Sequence, residues 1–283
     1  MSSAPIISPR GTPMPRILYG TAWKKERTAA LVERALGAGF RGIDTACQPK
    51  HYDEAGVGQG VAAALRGGRR REELYLQTKF TPLDGQDPRR VPYDTKAPLA
   101  EQVRQSCRAS LANLQTTYLD CLVLHSPMDT LELTLQVWRE LEALSDSGVV
   151  RELGISNCYQ LQELEALYAA ARIKPLVLQN RFHAATGYDQ QLRGFCRARG
   201  MVYQSFWTLT ANRELLSHPE VQALARRHAV TPAQLFFRGL TQMGIVPLTG
   251  TTSEEHLRQD LAIFDFELSP AELRQLTARF GET

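Results

Sequence analysis

The sequence predicts a single-domain α/β protein, a closed (β/α)8 TIM barrel spanning residues 1–283. Three observations carry that expectation. Short apolar runs of strand length alternate with longer segments of helical period from one end of the chain to the other. The alternation recurs eight times within about 250 residues, the length such a barrel needs. No Gly-x-Gly-x-x-Gly follows the first run, so the phosphate-binding turn of a doubly wound open sheet is missing.

The eight candidate strands are RILYGTA (16–22), FRGIDTA (40–46), LYLQTKF (74–80), DCLVLHS (120–126), VRELGIS (150–156), PLVLQNRF (175–182), MVYQSFW (201–207) and GIVPLTG (244–250). Between them Leu31, Ala35 and Ala38, then Leu133, Val137, Leu141 and Leu144, then Leu161, Leu164, Leu167 and Ala171 recur at three- and four-residue intervals. Each set makes one apolar helical stripe. Boundaries are marked by Gly39 after the first stripe, by Thr231-Pro232, and by the capping box Ser269-Pro270-Ala271-Glu272. Two features exceed the regular repeat. TPLDGQDPRRVPYDTKA (81–97) is long for a connection in a compact domain. Two helices, 219–228 and 232–243, precede the eighth strand where a barrel needs one.

Composition excludes some classes of function. The 33 basic and 30 acidic residues leave a formal charge of +3 and are interspersed, which argues against a nucleic-acid or anionic-membrane surface. Cys47, Cys107, Cys121, Cys158 and Cys196 are odd in number and widely spaced, the pattern of reduced thiols without a disulfide framework or metal site. Prolines interrupt the first twenty residues where a signal peptide needs an apolar segment, and no run reaches membrane-spanning length. A cytoplasmic protein is expected, with its oligomeric state open.

The catalytic face of a parallel barrel lies at the carboxyl ends of its strands. Three consecutive strands end in ionisable residues: Asp44, Lys79 and His125. An ion pair and an imidazole sharing one poorly solvated mouth are costly unless they serve function. A lysine there implies a phenol, because a buried ammonium lowers the pKa of a neighbouring tyrosine from about 10. Tyr52, in the loop IDTACQPKHYDEAGVG after Asp44, is the available one, a general acid with Asp44 orienting Lys79. Lys50 and His51 then read as solvated loop residues.

At these residues the chain resembles the aldo-keto reductase superfamily. Asp44 in GIDTA, a tyrosine before EAGVG, Lys79 in TKF and His125 in LVLHSP are similar to its catalytic tetrad. GISN (154–157), LQNRFH (178–183) and IVPLTGTTSEEHL follow in the family's order, so the resemblance covers nearly the whole chain. It implies a (β/α)8 barrel, an extended NADPH (NADP+) cofactor, and hydride transfer to a small-molecule carbonyl while tyrosine protonates the oxygen. His125 would orient the substrate carbonyl. Ser156, Asn157 and Gln179 would hold the nicotinamide carboxamide, and Phe206 would stack on its ring. Thr21, Ala22, Asp44, Leu209 and Asp260 complete the implied cofactor contacts. The substrate walls would come from Trp23, Phe80, the 81–97 loop, Met128 and Trp207, favouring apolar or aromatic aldehydes, ketoesters or even cyclic imines. With only RFGET after the last helix, an open and permissive site is expected.

Two departures from the family pattern stand out. Its tyrosine follows the aspartate by five residues, where this chain has Pro49, while Tyr52 lies eight beyond Asp44, leaving His51 as the fallback proton donor. The lysine and arginine that grip the 2′-phosphate of NADPH are replaced by Leu248 and His256. Thr249, Gly250, Thr251, Thr252 and Ser253 at a helix start, with Arg258 beyond, remain to take a phosphate, and Glu255 reads as closing a capping box with Thr252. The alternative reading is a cofactor-binding, redox-responsive interaction protein like a potassium-channel β subunit; the short lead-in before the first strand counts against it.

Overall fold

A computed structural model describes residues 4–280 of the chain. A two-stranded antiparallel hairpin, β1 (Ile6–Ile7) and β2 (Pro13–Met14), precedes eight parallel strands: β3 (Leu18–Gly20), β4 (Gly42–Asp44), β5 (Tyr75–Phe80), β6 (Leu119–Leu124), β7 (Val150–Ser156), β8 (Val177–Arg181), β9 (Val202–Phe206) and β10 (Val246–Thr249). They close in the order β10-β3-β4-β5-β6-β7-β8-β9. Each lies inside one of the eight runs that the sequence singles out, except that β6 starts one residue earlier. The fold is the expected TIM barrel. The hairpin has no counterpart in the sequence reading, because strands of two residues are too short to show an alternation.

Alternation along the strands divides the core in two. Leu18, Tyr75, Cys121, Val123, Val177, Val202, Val246 and Leu248 point into the barrel and cluster with Met14 of the hairpin. Tyr19, Ile43, Leu76, Phe80, Leu122, Leu124, Leu153, Ile155, Leu178 and Tyr203 point outward and pack beneath the helices. Burying each such side chain contributes about 1.5–3 kcal/mol, so the period of two is strongly enforced. The hairpin closes the amino end of the barrel: Ser8 and Thr12 hydroxyls donate to Glu152 Oε1 at 2.6 and 2.8 Å.

The helices that matter to the site follow their caps. α1 (Thr28–Ala38) ends at Gly39, whose φ of 127° only glycine adopts readily. α2 (Glu54–Arg66) starts on Asp53, which accepts from Gly56 N at 2.9 Å. Gly60 of α2 lies so close to α1 that a Cβ there would sit 2.6 Å from Ala29 O. α3 (Leu99–Leu114), α4 (Leu131–Asp146), α5 (Leu161–Ala170) and α6 (Gln190–Arg199) alternate with the strands. After β9 come α7 (Arg213–Ser217), absent from the sequence reading, and the two expected helices α8 (Pro219–Arg227) and α9 (Pro232–Gln242). α10 (Glu254–Leu261) and α11 (Pro270–Thr277) complete the layer, α11 with its capping box formed. The cap of α10 is Ser253, which accepts from His256 N, not Thr252 paired with Glu255. Just before it, Thr251 Oγ1 accepts from Ser253 N at 3.1 Å. Among the described residues no helix is long and apolar enough to cross a membrane, and all five cysteines are buried and free.

Candidate active site

A cavity of about 870 Å³ opens at the carboxyl ends of the strands, near the upper end of small-molecule sites. Inward parity at that end selects its walls. Asp44 ends β4; Lys79 lies on β5 two residues beyond Gln77; His125 follows β6; Ser156 ends β7; Gln179 and Arg181 share the inner face of β8; Phe206 ends β9. Of these all but Lys79 line the cavity.

Lys79 lies directly behind, 1% exposed, donating to both oxygens of Asp44 at 2.7 Å and to Thr45 O at 2.8 Å. Asp44 Oδ1 also accepts from Gln77 Nε2 (2.7 Å) and Gln179 Nε2 (2.9 Å), both of which meet Gln204 Oε1. This amide layer across the barrel solvates the carboxylate where water does not reach. Gln179 thereby uses its amide hydrogens and keeps Oε1 free to accept. Ser156 Oγ donates to Gln179 O at 2.7 Å and accepts from Asn157 Nδ2 at 3.3 Å. Asn157 Nδ2 donates to His125 O at 2.8 Å.

Tyr52 reaches this cluster through the longer loop. Pro49, Lys50 and His51 form a turn in which His51 N and Tyr52 N both donate to Gln48 O at 3.1 Å. Downstream, Glu54 is buried and accepts from Thr78, Ser110 and Asn113, which pins the start of α2 to β5 and α3. Held at both ends, the loop leaves the Tyr52 ring 5.5 Å from Lys79 Nζ and 6.1 Å from the His125 ring. The three added residues are thus absorbed in the turn, and the phenol lines the cavity.

The electrostatics correct one step of the sequence argument. Burial raises the Tyr52 phenol well above its ordinary range, and the Asp44 charge adds to the rise. The Lys79 ammonium, whose hydrogen bonds go to Asp44 and Thr45 O, does not offset that rise. Tyr52 is therefore held protonated at neutral pH. His125 is pushed down to about 3, by burial first and then by Lys79 and His51, so its imidazole is neutral. Its Nδ1 lies 2.6 Å from Thr81 Oγ1. His51 is not simply a solvated loop residue: its ring stacks on Trp23 at 4.0 Å and lines the cavity. Burial and the charge of Lys50 lower its pKa.

Of the residues that the resemblance assigns to cofactor, Ala22, Asp44, Ser156, Asn157, Gln179, Phe206, Leu209, Thr249, Gly250, Thr251, His256 and Asp260 line the cavity. Three do not. Thr21 is fully buried and donates to Asp44 O at 2.9 Å, bracing the strand ends. Thr252 and Arg258 are exposed; Arg258 lies round α10 from the face that His256, Gln259 and Asp260 turn to the cavity. On the substrate side Trp23 and Trp207 stand at the mouth, 55% and 48% exposed. Phe80 does not: Lys79 points inward, so its neighbour must point outward, where it meets Tyr93 at 5.7 Å. Met128 packs on the same outer core at the foot of α4.

The 81–97 loop is also no wall of the cavity. Gln86 is buried and donates to Cys47 O and Thr81 O, Tyr93 Oη donates to Thr81 O at 2.9 Å, and Gly85 O accepts from Gln48 at 2.7 Å. Deleting Gly85–Val91 is therefore expected to lower stability by roughly 2–4 kcal/mol, two or three net hydrogen bonds, more than it alters substrate preference. Thermal unfolding beside KM for several substrates checks this; an unchanged Tm with altered KM would restore the loop as a wall.

Arg181 was readable, since it lies two beyond Gln179 on one strand and must share its face. Lys24, Gln48 and Gln259 also line the cavity, but from loops and a helix where no strand period places them.

A family model described as the aldo/keto reductase family matches residues 11–279. The chain belongs to the aldo/keto reductase family. It is 30% identical over 248 residues to the uncharacterized oxidoreductase YtbE of Bacillus subtilis, covering 87% of this chain and 81% of that one. It is 28% identical to aldo-keto reductase family 1 member A1 of Homo sapiens, covering 98% and 90%. Among solved structures, an aldo/keto reductase from Brucella melitensis superposes with a TM-score of 0.83 at 25% identity over 98% of this chain and 99% of its own. The aldose reductase from Schistosoma japonicum gives 0.83 at 26% over 99% and 92%. Membership carries NAD(P)H-dependent carbonyl reduction as the family's chemistry, and this aldo/keto reductase has a cavity lined by Gln179, whose Oε1 is left to accept once its amide hydrogens are used on Asp44 and Gln204.

Proposed function

We propose that this protein is an NADPH-dependent reductase of aldehydes, activated ketones such as ketoesters, or cyclic imines, with Tyr52 as the general acid. The observation that carries the reading is the meeting of Tyr52, the Lys79–Asp44 pair and neutral His125 at one end of the cavity. When bound, the dinucleotide supplies hydride. Ser156, Asn157 and Gln179 would hold its carboxamide, and Phe206 its ring. His125 Nε2 would donate to the substrate oxygen, which requires Thr81 to donate to Nδ1. Tyr52 Oη then gives its proton to that oxygen as negative charge develops there. Lys79 and Asp44 position the phenol and keep the floor of the site close to neutral. NADPH consumption with a panel of aldehydes and ketoesters tests the reading; tight dinucleotide binding without turnover of any of them would overturn it and favour a partner-binding role.

Cofactor choice follows from the charges on the other half of the cavity. Lys24 is 8% exposed and its Nζ donates to Gly250 O, beside Thr249 and Thr251. Lys24 and His256, rather than Arg258, are then the basic residues near the 2′-phosphate. Asp260 opposes them: burial raises its carboxyl to about 6, against the Thr249 hydroxyl and His256. Above that pH it is an anion that repels a phosphate; below it the charge is lost. The NADPH preference should therefore widen between about pH 8 and about pH 5 and shrink about tenfold in Lys24→Met, one charge-assisted hydrogen bond, while Arg258→Ala leaves it unchanged. Measuring kcat/KM for both cofactors checks this, and a preference for NADH at either pH would sink it.

A further inference from the structure

Arg181 is a charged group at the mouth to which the catalytic and cofactor assignments give no task. It ends β8 in register with Phe206, one inward step beyond Gln179, and lines the cavity. Its Nε is buried without a hydrogen-bond partner. Among the described residues its guanidinium has no ion pair and no side-chain hydrogen bond; it lies over the Trp207 indole, 4.3 Å from Cζ to ring centre, with the neutral Tyr159 hydroxyl taken up by Arg181 N. The two acids of the cavity are engaged elsewhere, Asp44 with Lys79 and Asp260 with Thr249 Oγ1. Trp207 holds a φ of 54°, unfavourable for a bulky residue, and this backbone sets its half-exposed indole against the arginine.

A partly desolvated guanidinium without a counter-charge is costly, and the strained tryptophan adds to the cost. Both are accounted for by a ligand. The planar fork of an arginine matches the paired oxygens of a carboxylate or phosphate, and an indole on its other face shields the contact from water.

We propose that Arg181 and Trp207 form an oxyanion-binding arm at the cavity mouth. The oxyanion is either the carboxylate of an oxo-acid substrate or the diphosphate of the dinucleotide. The inference rests on the reading of the cavity as a carbonyl-reducing site and names the group that the substrate or cofactor brings to β8.

The test compares 4-carboxybenzaldehyde with its neutral methyl ester, and NADPH with NADH, in the parent, Arg181→Met and Arg181→Lys. With a substrate carboxylate on the arm, Arg181→Met lowers the acid-to-ester ratio of kcat/KM at least about tenfold while the dinucleotide Kd values hold. With the diphosphate on the arm, both Kd values rise at least about tenfold together and the ratio holds. In either case Arg181→Lys recovers part of the loss, since it keeps the charge and loses the fork. Changes below about twofold in both readouts, or a lowered Tm as the only effect, overturn the arm. A parent that reduces neither aldehyde overturns the carbonyl-reductase reading instead; calorimetric titration of benzoate against benzamide, and of both dinucleotides, still decides whether Arg181 binds oxyanions.

Discussion

Tyr52→Phe is expected to lower carbonyl reduction by at least about two orders of magnitude while leaving dinucleotide affinity nearly unchanged. The substitution removes one oxygen and its proton and keeps the ring that packs near His125. With the phenol pushed above its ordinary range, Tyr52 stays protonated through the neutral pH range, so the proton leaves only as the substrate oxygen becomes basic. The competing donor is His51, where burial and the Lys50 charge disfavour the protonated form that would give up a proton. His125, pushed down to about 3, contributes no titration to the profile near neutral pH. Steady-state kinetics with dinucleotide titration decides between the two donors: near-normal turnover in Tyr52→Phe together with an inactive His51→Ala would hand the role to His51.

Lys79→Met is expected to abolish turnover and to destabilise the fold by about 3–5 kcal/mol, the usual cost of removing one partner of a buried ion pair. Asp44 Oδ2 would lose its lysine partner, and Oδ1 would keep only the two glutamine amides. The stability loss and the activity loss separate in the double variant Lys79→Met/Asp44→Asn. A neutral amide strands no charge, so Tm should recover most of its fall, while turnover should not return if the ion pair behind the phenol serves catalysis as proposed. Circular dichroism and thermal unfolding alongside kinetics read both effects. A folded Lys79→Met that still turns over would remove Lys79 from the mechanism.

What the chain alone determined is what its local periods carry. The period of two along the strands set which residues face the barrel axis, and the closing positions put Asp44, Lys79 and His125 at one mouth. The same parity implied Arg181 and excluded Phe80, so both were legible in principle. Tertiary structure decided everything held by loops. Tyr52 lies eight residues beyond Asp44 and reaches Lys79 only because Gln48 closes the turn before it and Thr78, Ser110 and Asn113 anchor Glu54 after it. Lys24 enters the cavity because β3 and β10 are neighbours in a closed barrel, 226 residues apart in the chain at the contact with Gly250. Docking set which face of α10 meets the cavity: His256, Gln259 and Asp260 share that face, and Arg258 lies on the other side of the helix. A strand repeats its geometry every two residues and so reports its own orientation. A loop has no period, and where its side chains point depends on contacts made only once the barrel has closed.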